Sequence, residues 1–539
     1  MVARRSKVID KQLGLQASAS DDTQAHPKIS ICLVTYNSQE WIDRWFKAIK
    51  ACGYPKHKIS FSIVDNASTD KTIALLEKNL SELHGFDAIT LHKSQRNLGF
   101  GTGQNIAVAN ATNEYILIIN PDAFLIPGSL KNAVDYALKD ESKVCAWEFS
   151  QLPYEHPKYY DPVSLETSWN SHACILLKKS SFQSVGGYDT SLFMYGEDVD
   201  LSYKLRRAGY YLRYLPVSKV HHDSFHEHGR RSEQSARVIA ANLCLRRRYG
   251  SLSDKLVGYI ILWRSISSKH DEIKKTTRQA WNIYKGIRSK FRPLKRGSTF
   301  FPFNGFGYDR RRPGSRVKLE LEKDETPKIS VITRIHKKSN LLKNALVSVK
   351  NQTYSNTEHI VVFDACSPYF VSDQLIVESS FQTRSEAANA GVSASTGDYI
   401  LFLDYDDVLF SDHLEGLLYK IKSNPDAACA YAFSWEGLSD KNQTEKDKSL
   451  RIANGMESEF SITKLNEQNF FAIQSLLIKK SAFNKVGGFN NKLDSLEDWD
   501  LWQRLLSEGD FVSYPKVSSI FYTPAGLFSR IKRTLGLLP

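Results

Sequence analysis

At 539 residues, with 42% hydrophobic and 24% charged residues, the chain is too long for one ordinary domain and suits two of about 200 to 250 residues plus connectors. Its seven cysteines are odd in number, scattered and free of any Cys-x-x-Cys pair, which speaks against a disulfide framework and a zinc site and for a reduced, cytosolic compartment. The formal charge of +13 is concentrated between Arg246 and Arg316, where 19 Lys or Arg stand against 4 Asp or Glu.

The N-terminal "MVARRSKVIDKQLGLQ" is basic but has no apolar stretch behind it, so no signal peptide is expected. The strands begin with "PKISICLVTYN" (27–37) and "FSIVDNASTD" (61–70), and a Gly-rich turn, "NLGFGTGQN" (97–105), comes next. "NEYILIINPDAFL" (113–125) reads as a buried strand running into an acidic loop, and "SLKNAVDYALKD" as the helix after it. Further on lie "LLKKSSFQSVGGYDTSL" (176–192), the amphipathic "GEDVDLSYKLRRAGY" (196–210) and the histidine-rich "KVHHDSFHEHG". In the basic stretch, "DKLVGYIILWRSISS" and "AWNIYKGIRSKFRPLKRG" interleave cations with aromatic and aliphatic residues, the pattern of a helix lying on an anionic lipid surface, with a solvated basic connector as the alternative. Its longest apolar run, "LVGYIILW" (256–263), is far short of the 18 or more residues of a membrane span, so no crossing is expected.

From residue 327 the same series begins again. "PKISVITRIHK" (327–337), "HIVVFDACS" (359–367), "GDYILFLDYDDVL" (397–409), "LIKKSAFNKVGGFNNKL" (477–493) and "LEDWDLWQRLLSEGD" (496–510) answer the five first-half landmarks in one order, which marks a tandem duplication. The C-terminal "GLFSRIKRTLGLLP" sets Leu527, Phe528, Ile531, Leu535 and Leu538 at helical spacing beside Arg530, Lys532 and Arg533. Strands alternating with helical patterns imply an α/β domain with a mainly parallel sheet, whose ligands sit at the carboxyl ends of strands.

The loops "NPD" and "LDYDD" emerge at such ends. A helix cap accounts for one Asp after a strand, but not for Asp404, Asp406 and Asp407 within four positions. Like charges that close raise one another's pKa unless a cation binds, and a hard divalent ion shared with substrate phosphates resolves the conflict. Glu197-Asp198 and Glu497-Asp498 each open an amphipathic helix, as caps or as candidate bases.

In this order, an Ile-Val-Asp strand, an Asp-x-Asp-type loop, a Gly-Gly-aromatic turn and a Glu-Asp-x-Asp-Leu helix start resemble glycosyltransferase family 2, over about 28 to 225 and again 327 to 525. "TYN", "RNLGFGTGQN" and "INPDAF" make the first copy similar to its rhamnosyltransferase-like branch. The resemblance implies two tandem GT-A (Rossmann-like) modules, at 27–245 and 327–525; composition and spacing add a flexible N-terminal segment 1–26, a basic, largely helical connector 246–326 and a C-terminal amphipathic helix 526–539. It also implies residue roles. Nucleotide-sugar contacts would come from Thr35, Tyr36, Asn37, Asp65, Asn97, Gly99 and Asn105 in the first copy, and from Thr333, Asp364, Arg384 and Asn389 in the second. A divalent metal, Mg or Mn, would sit on Asp122 with His221 or His222, His221 matching better, and on Asp404 and Asp406. Asp198 and Asp498 would be general bases oriented by Glu197 and Glu497, while Asp200 and Asp500 support the helix start.

The second copy departs from the pattern. Asp364 to Asp406 spans 42 residues against 57 from Asp65 to Asp122, "TRIHKKS" lacks the Asn after the first strand, Ala388 stands where Arg is common, and no His follows the last strand. In the first copy, His172 stands where relatives often have Gly. The expected activity is an inverting, metal-dependent, bifunctional hexosyl transfer to a lipid-linked bacterial O-antigen or capsule glycan, at the inner face of the cytoplasmic membrane. The donors would be dTDP-rhamnose-like in the first module and a UDP-hexose or UDP-N-acetylhexosamine in the second. Rival readings are a second copy that only positions acceptor, a nucleotidyltransferase, and a basic nucleic-acid-binding protein, although no nucleic-acid partner is expected.

Overall fold

The computed structural model describes residues 2–5, 26–156, 158–223, 232–294, 299–309, 312, 326–439, 451–452 and 461–524. The chain divides into two compact units, Ser18–Arg312 and Met1–Ala17 with Pro313–Pro539. Most of the N-terminal segment, part of the histidine-rich stretch and the expected C-terminal helix lie outside the described residues.

Strand β1 (Val2–Arg5) belongs to the second-listed half of that division, and the first module starts at β2 (Ile29–Thr35). Every residue of β2 is buried, as a run of β-branched and apolar residues requires when both faces of a sheet are covered. Helix α1 (Ile42–Lys50) buries Ile42, Trp45, Phe46 and Ile49 at helical spacing, with Asp43 in its first turn and Lys47 and Lys50 in its last, each suited to the helix dipole. There follow β3 (Ile59–Asp65), α2 (Thr72–Ser81), β4 (Ile89–Lys93), α3 (Phe100–Asn110), β5 (Tyr115–Ile119), β6 (Ala123–Leu125), α4 (Ser129–Lys139), β7 (Val144–Leu152), β8 (Cys174–Lys178), α5 (Lys179–Ser184), α6 (Glu197–Arg207) and β9 (Tyr211–His222).

The eight strands run in the order β4-β3-β2-β5-β8-β7-β9-β6. Strands β4, β3, β2 and β5 are parallel, β8 is antiparallel to β5 and β7, and β6 folds back against the end of β9. Chain order reverses between β2 and β5, which opens a crevice at their carboxyl ends. The acidic loop after β5 emerges there.

The basic stretch is helical in α7 (Ser232–Tyr249), α8 (Leu252–Ile266) and α9 (Asp271–Ile287). These helices belong to the first unit: Ala240, Leu243, Leu245 and Tyr284 share one apolar cluster with Val199 and Tyr203 of α6. No helix among the described residues is long and apolar enough to cross a membrane.

The second unit has β10 (Ile329–Ile335), α10 (Leu341–Lys350), β11 (Thr357–Asp364), β12 (Leu375–Ser379), α11 (Arg384–Ala394), β13 (Tyr399–Asp404), β14 (Val408–Leu409), α12 (His413–Lys422), β15 (Ala427–Ser439), β16 (Arg451–Ile452), α13 (Ile462–Glu467), β17 (Leu476–Lys479), α14 (Lys480–Lys485), α15 (Glu497–Leu505) and β18 (Asp510–Pro524). Its order, β12-β11-β10-β13-β17-β15-β18-β14, repeats the first sheet strand for strand, with β1 added antiparallel at the β12 edge and β16 on β15. The paired sequence landmarks are therefore two copies of one topology. No helix counterpart of α2 stands between β11 and β12, which accounts for the shorter span to the acidic loop.

Candidate active site

In the first module Asp65 ends β3 fully buried, accepting from Thr35 Oγ1 at 2.9 Å and from the Ser68 amide and hydroxyl at 2.9 and 2.6 Å. Asn37, in the left-handed region at φ 49°, accepts from the Thr69 amide, and Tyr36 beside it is 48% exposed. The two form the outer lip of the crevice, and Thr35 and Asp65 brace its floor.

The Gly-rich turn is held from three sides. Asn97 Oδ1 accepts from the Gly99 amide at 2.9 Å, Asn66 Nδ2 donates to the Gly99 carbonyl, and the Phe100 amide donates to Phe193 O. At φ 82° a Cβ on Gly99 would lie 2.3 Å from Phe193 O, so glycine alone lets the two segments meet. Asn105 clamps the Gly-Gly-Tyr turn, donating to Tyr188 O at 3.0 Å and accepting from Tyr188 N at 2.9 Å. Asn389 does the same with Phe489, at 2.9 and 3.0 Å. Both side chains, expected on the nucleotide sugar, are engaged in positioning that turn.

The acidic loop meets the end of β9. His222 Nε2 lies 3.4 Å from Asp122 Oδ1, and His222 Nδ1 is 2.8 Å from Gln151 Oε1. His221 turns the other way, its Nδ1 2.9 Å from Asp223, itself paired with Arg44. Of the two histidines expected as ligand, His222 is therefore the one beside Asp122. Strand alternation sends the two histidines to opposite faces, and the observed contacts set His222 against Asp122 and His221 against Asp223. A carboxylate and a buried imidazole converging there suit a divalent cation.

At the start of α6, Gly196 adopts φ 89°, and a Cβ there would lie 2.6 Å from that of Ala241 on α7. Glu197 is 5% exposed, and its Oε2 has no hydrogen-bond partner among the described residues. Burial, reinforced by Asp198, pushes its carboxyl up to about 8, so it is a proton carrier at neutral pH. Asp198 accepts from the Val199 amide at 2.8 Å, within the influence of Lys158, Tyr188 and Tyr308. Asp200 lies deeper, bound by Arg248 and Tyr249, and supports the helix.

Sequence reading missed the buried ion pair of Lys158 and Glu148, which also holds Asn170 and the Ser171 amide. The signal available was a charged residue inside the otherwise apolar run "VCAWEF". His172 sits fully inside with Nδ1 2.5 Å from the Tyr188 hydroxyl, and burial depresses it to about 3, so it stays neutral.

The second module carries the same parts with a different charge balance. Arg334, in the place of Val34, donates to Asp404 Oδ1 at 3.0 Å and to Glu497 Oε1 at 3.2 Å. Arg384 donates to the other Asp404 oxygen at 3.2 Å and approaches Glu497 at 3.7 Å. One guanidinium thus spans the acidic loop and the acidic helix start, which proves that the two face each other. Burial raises Asp404, but Arg334 and Arg384 outweigh it and hold the carboxyl below the usual range. Each oxygen of Asp404 accepts from one of these cations, so a metal bound there would share Asp404 with two guanidinium groups. Burial and the neighbouring Asp404 push Asp406 up to about 6, an excess of negative charge that a cation would relieve.

Asp498 accepts from Asn469 at 2.9 Å and is raised chiefly by burial. Asp500 pairs with Arg504. Asp364 stands one position beyond the counterpart of Asp65: Thr35 pairs with Asp65 across β2 and β3, whereas Ile335 pairs with Phe363 across β10 and β11. Asp364 corresponds instead to Asn66 and accepts from the Phe381 amide at 2.8 Å. Thr333 points into the opposite face, where its hydroxyl is 2.9 Å from His359 Nε2. Among the described residues, no three His, Cys, Asp or Glu side chains gather into a ready-made metal cluster.

Residues 30–200 match the family described as Glycosyl transferase family 2, and residues 334–532 match Glycosyltransferase like family 2. An N-acetylglucosaminyl-diphospho-decaprenol L-rhamnosyltransferase of Mycobacterium tuberculosis is 24% identical over 248 residues, 38% of this chain and 78% of that protein. Rhamnosyltransferase WbbL of Escherichia coli is 25% identical over 237 residues, 37% of this chain and 84% of that protein. Among solved structures, mannosyltransferase PcManGT from Pyrobaculum calidifontis, in complex with GDP-Man and Mn2+, aligns with a TM-score of 0.34 and 19% identity, covering 50% of this chain and 75% of that one.

Proposed function

The chain is a tandem glycosyltransferase of family 2 with a rhamnosyltransferase-like first module, and on that premise we propose that it transfers two sugars in succession to a lipid-linked bacterial surface glycan of the O-antigen or capsule kind. The single observation that carries the reading is the reach of Arg334 from Asp404 to Glu497. It puts the acidic loop and the acidic helix start across one crevice in a module whose strand order the first module repeats.

Transfer from a nucleotide sugar needs a base on the acceptor hydroxyl and charge relief at the departing diphosphate. Asp198 and Asp498 are the bases. Each takes the hydroxyl proton while the acceptor oxygen attacks the anomeric carbon from the face opposite the leaving group, so the reaction inverts. Protonated Glu197 adds no second negative charge beside Asp198, the base. Asp122 with His222 in the first module and Asp406 in the second would hold a divalent cation, Mg or Mn, which when bound would supply Lewis acidity at the departing diphosphate. Tyr36 and Asn37 line the nucleotide side. Relatives named for rhamnosyl transfer support a dTDP-rhamnose-like donor in the first module, and the decaprenyl diphosphate acceptor of one supports a lipid carrier. A UDP-hexose or UDP-N-acetylhexosamine is the proposed donor of the second, and the site of action the inner face of the cytoplasmic membrane.

A second reading keeps one active module. Ile335 and Phe363 in place of the Thr35 and Asp65 pair leave the second module without a counterpart of Asp65, which favours a second module that binds acceptor without turning over a donor. The test is hydrolysis and transfer across a nucleotide-sugar panel with Mn or Mg, for wild type, Asp198→Asn and Asp498→Asn. Two active modules predict that each variant loses a different donor, by about 100-fold or more in kcat. Loss in Asp198→Asn alone would leave the second module a scaffold, and no turnover by wild type on any donor and lipid acceptor would sink both readings.

A further inference from the structure

Helix α8 is apolar on two faces. Its inner face is committed to the protein: Gly258 and Leu262 are buried, and a Cβ on Gly258 would lie 2.7 Å from Arg246 Cδ, so the helix rides close over α7. Its outer face carries Leu252, Leu256, Ile260 and Trp263 in one stripe at steps of four, four and three, with Val257 beside it. They are exposed at 81, 61, 46, 70 and 44%, respectively. A capping box of Ser251 and Asp254 fixes the start of the helix, so the stripe is held rigidly.

Beside that start lies a cavity of about 600 Å³ lined by Lys204, Arg207, Arg248, Lys290 and Arg292, with Asp189 and the exposed Leu294. Tyr249, three positions before Leu252, lines it too, and the Leu294 amide donates to Arg248 O. Lys204 and Arg248 are already balanced by Asp200 and Asp189. Arg207, Lys290 and Arg292 have no carboxylate partner among the described residues, so the cavity holds cationic charge in excess.

We propose that α8 docks the first module on an anionic phospholipid bilayer, its outer stripe entering the acyl boundary while the basic cavity at its foot seats a phosphate headgroup. Of the occupants an apolar helix face can take, a bilayer is the one that also meets unbalanced cations at the same end of the helix. A second copy of the chain would bring an equal positive charge against it. With 15 residues, α8 is too short to span and lies in the plane of the interface. The proposal deepens the lipid-acceptor reading without depending on it, because docking is read without any transfer reaction.

The experiment is co-sedimentation of the full chain with vesicles of phosphatidylcholine alone and with about a third phosphatidylglycerol, at physiological salt. Wild type is expected to sediment with the anionic vesicles and to stay in solution with the neutral ones. Leu256→Asp/Ile260→Asp should weaken binding at least about tenfold with thermal stability unchanged, since both side chains already face water. Arg207→Ala/Lys290→Ala/Arg292→Ala should lose most of the preference for phosphatidylglycerol. Wild type that ignores anionic vesicles, or an Asp variant that binds as well as wild type, would overturn the proposal. So would a wild-type dimer that Ile260→Asp dissociates in sedimentation velocity, which assigns the stripe to a second copy. Release of bound protein by millimolar inorganic phosphate, at constant ionic strength, would reassign the cavity to a free anion.

Discussion

Glu197 and Glu497 each open the acidic helix of their module, yet among the described residues one is enclosed without a cation and the other lies against Arg334. The difference comes from one position on the central strand, Val34 in the first module and Arg334 in the second. A measurable pH dependence follows for Glu197. In the unfolded chain it ionises near 4.5 and in the folded chain near 8. Below 4.5 both states are protonated. Between 4.5 and 8 only the unfolded state loses the proton, so stability falls as pH rises through that window and levels off above it. Glu197→Gln should therefore raise stability at pH 8 by something of the order of a few kcal/mol and leave it nearly unchanged at pH 4.5. Denaturant unfolding at the two pH values checks this, and an equal gain at both would show that Glu197 is ionised in the fold. None of this was legible from the pair "ED", which reads alike in both copies; the contact that separates them joins residues 163 positions apart.

At the scale of elements, the strands were legible because a buried parallel strand leaves a continuous β-branched run. The function of the conserved-looking asparagines was not. Asn105 and Asn389 sit on α3 and α11, helices that read only as an extension of a Gly-rich turn, and their partners lie 83 and 100 residues further on. Each ties that helix to the Gly-Gly-aromatic turn that leads to the acidic helix start. Asn105→Ala should cost roughly 1 to 3 kcal/mol, because it strands a backbone amide and a carbonyl at Tyr188. It should also lower kcat more than it raises KM, since the turn positions Asp198 rather than touching donor; an unchanged kcat would free the clamp of any part in catalysis. The histidine ligand shows the same limit. Two adjacent histidines on a strand are equivalent by spacing, and only the folded contact, 3.4 Å from His222 Nε2 to Asp122 Oδ1, tells them apart.

For the whole molecule, the two modules have separate cores: Cys32, Val64 and Ile118 centre one, and Ile332, Val362 and Phe402 the other. Arg334→Ala leaves half-buried Asp404 and buried Glu497 with only Arg384 between them, and should destabilise by roughly 1 to 3 kcal/mol. That loss should be confined to one core. Hydrogen exchange read by mass spectrometry is expected to show faster exchange in strands β10, β11 and β13 with β2, β3 and β5 unchanged, and a uniform change across both would mean that the modules unfold as one. Helices α7 to α9 extend the first core rather than standing as an independent connector, because Leu243, Leu245 and Tyr284 complete the apolar surface of α6.

Sequence alone determined the duplication, the order of strands and helices, the acidic loops and the acidic helix starts, because each is written in local period, turn chemistry or repeated motif. Tertiary structure decided which histidine joins Asp122, which carboxylates are neutralised by Arg334 and Arg384, why Glu197 keeps its proton, and where the basic helices pack. All of these depend on burial and on contacts between residues tens to hundreds of positions apart, and the electrostatics of a site follow from the charges that the fold brings within a few ångströms.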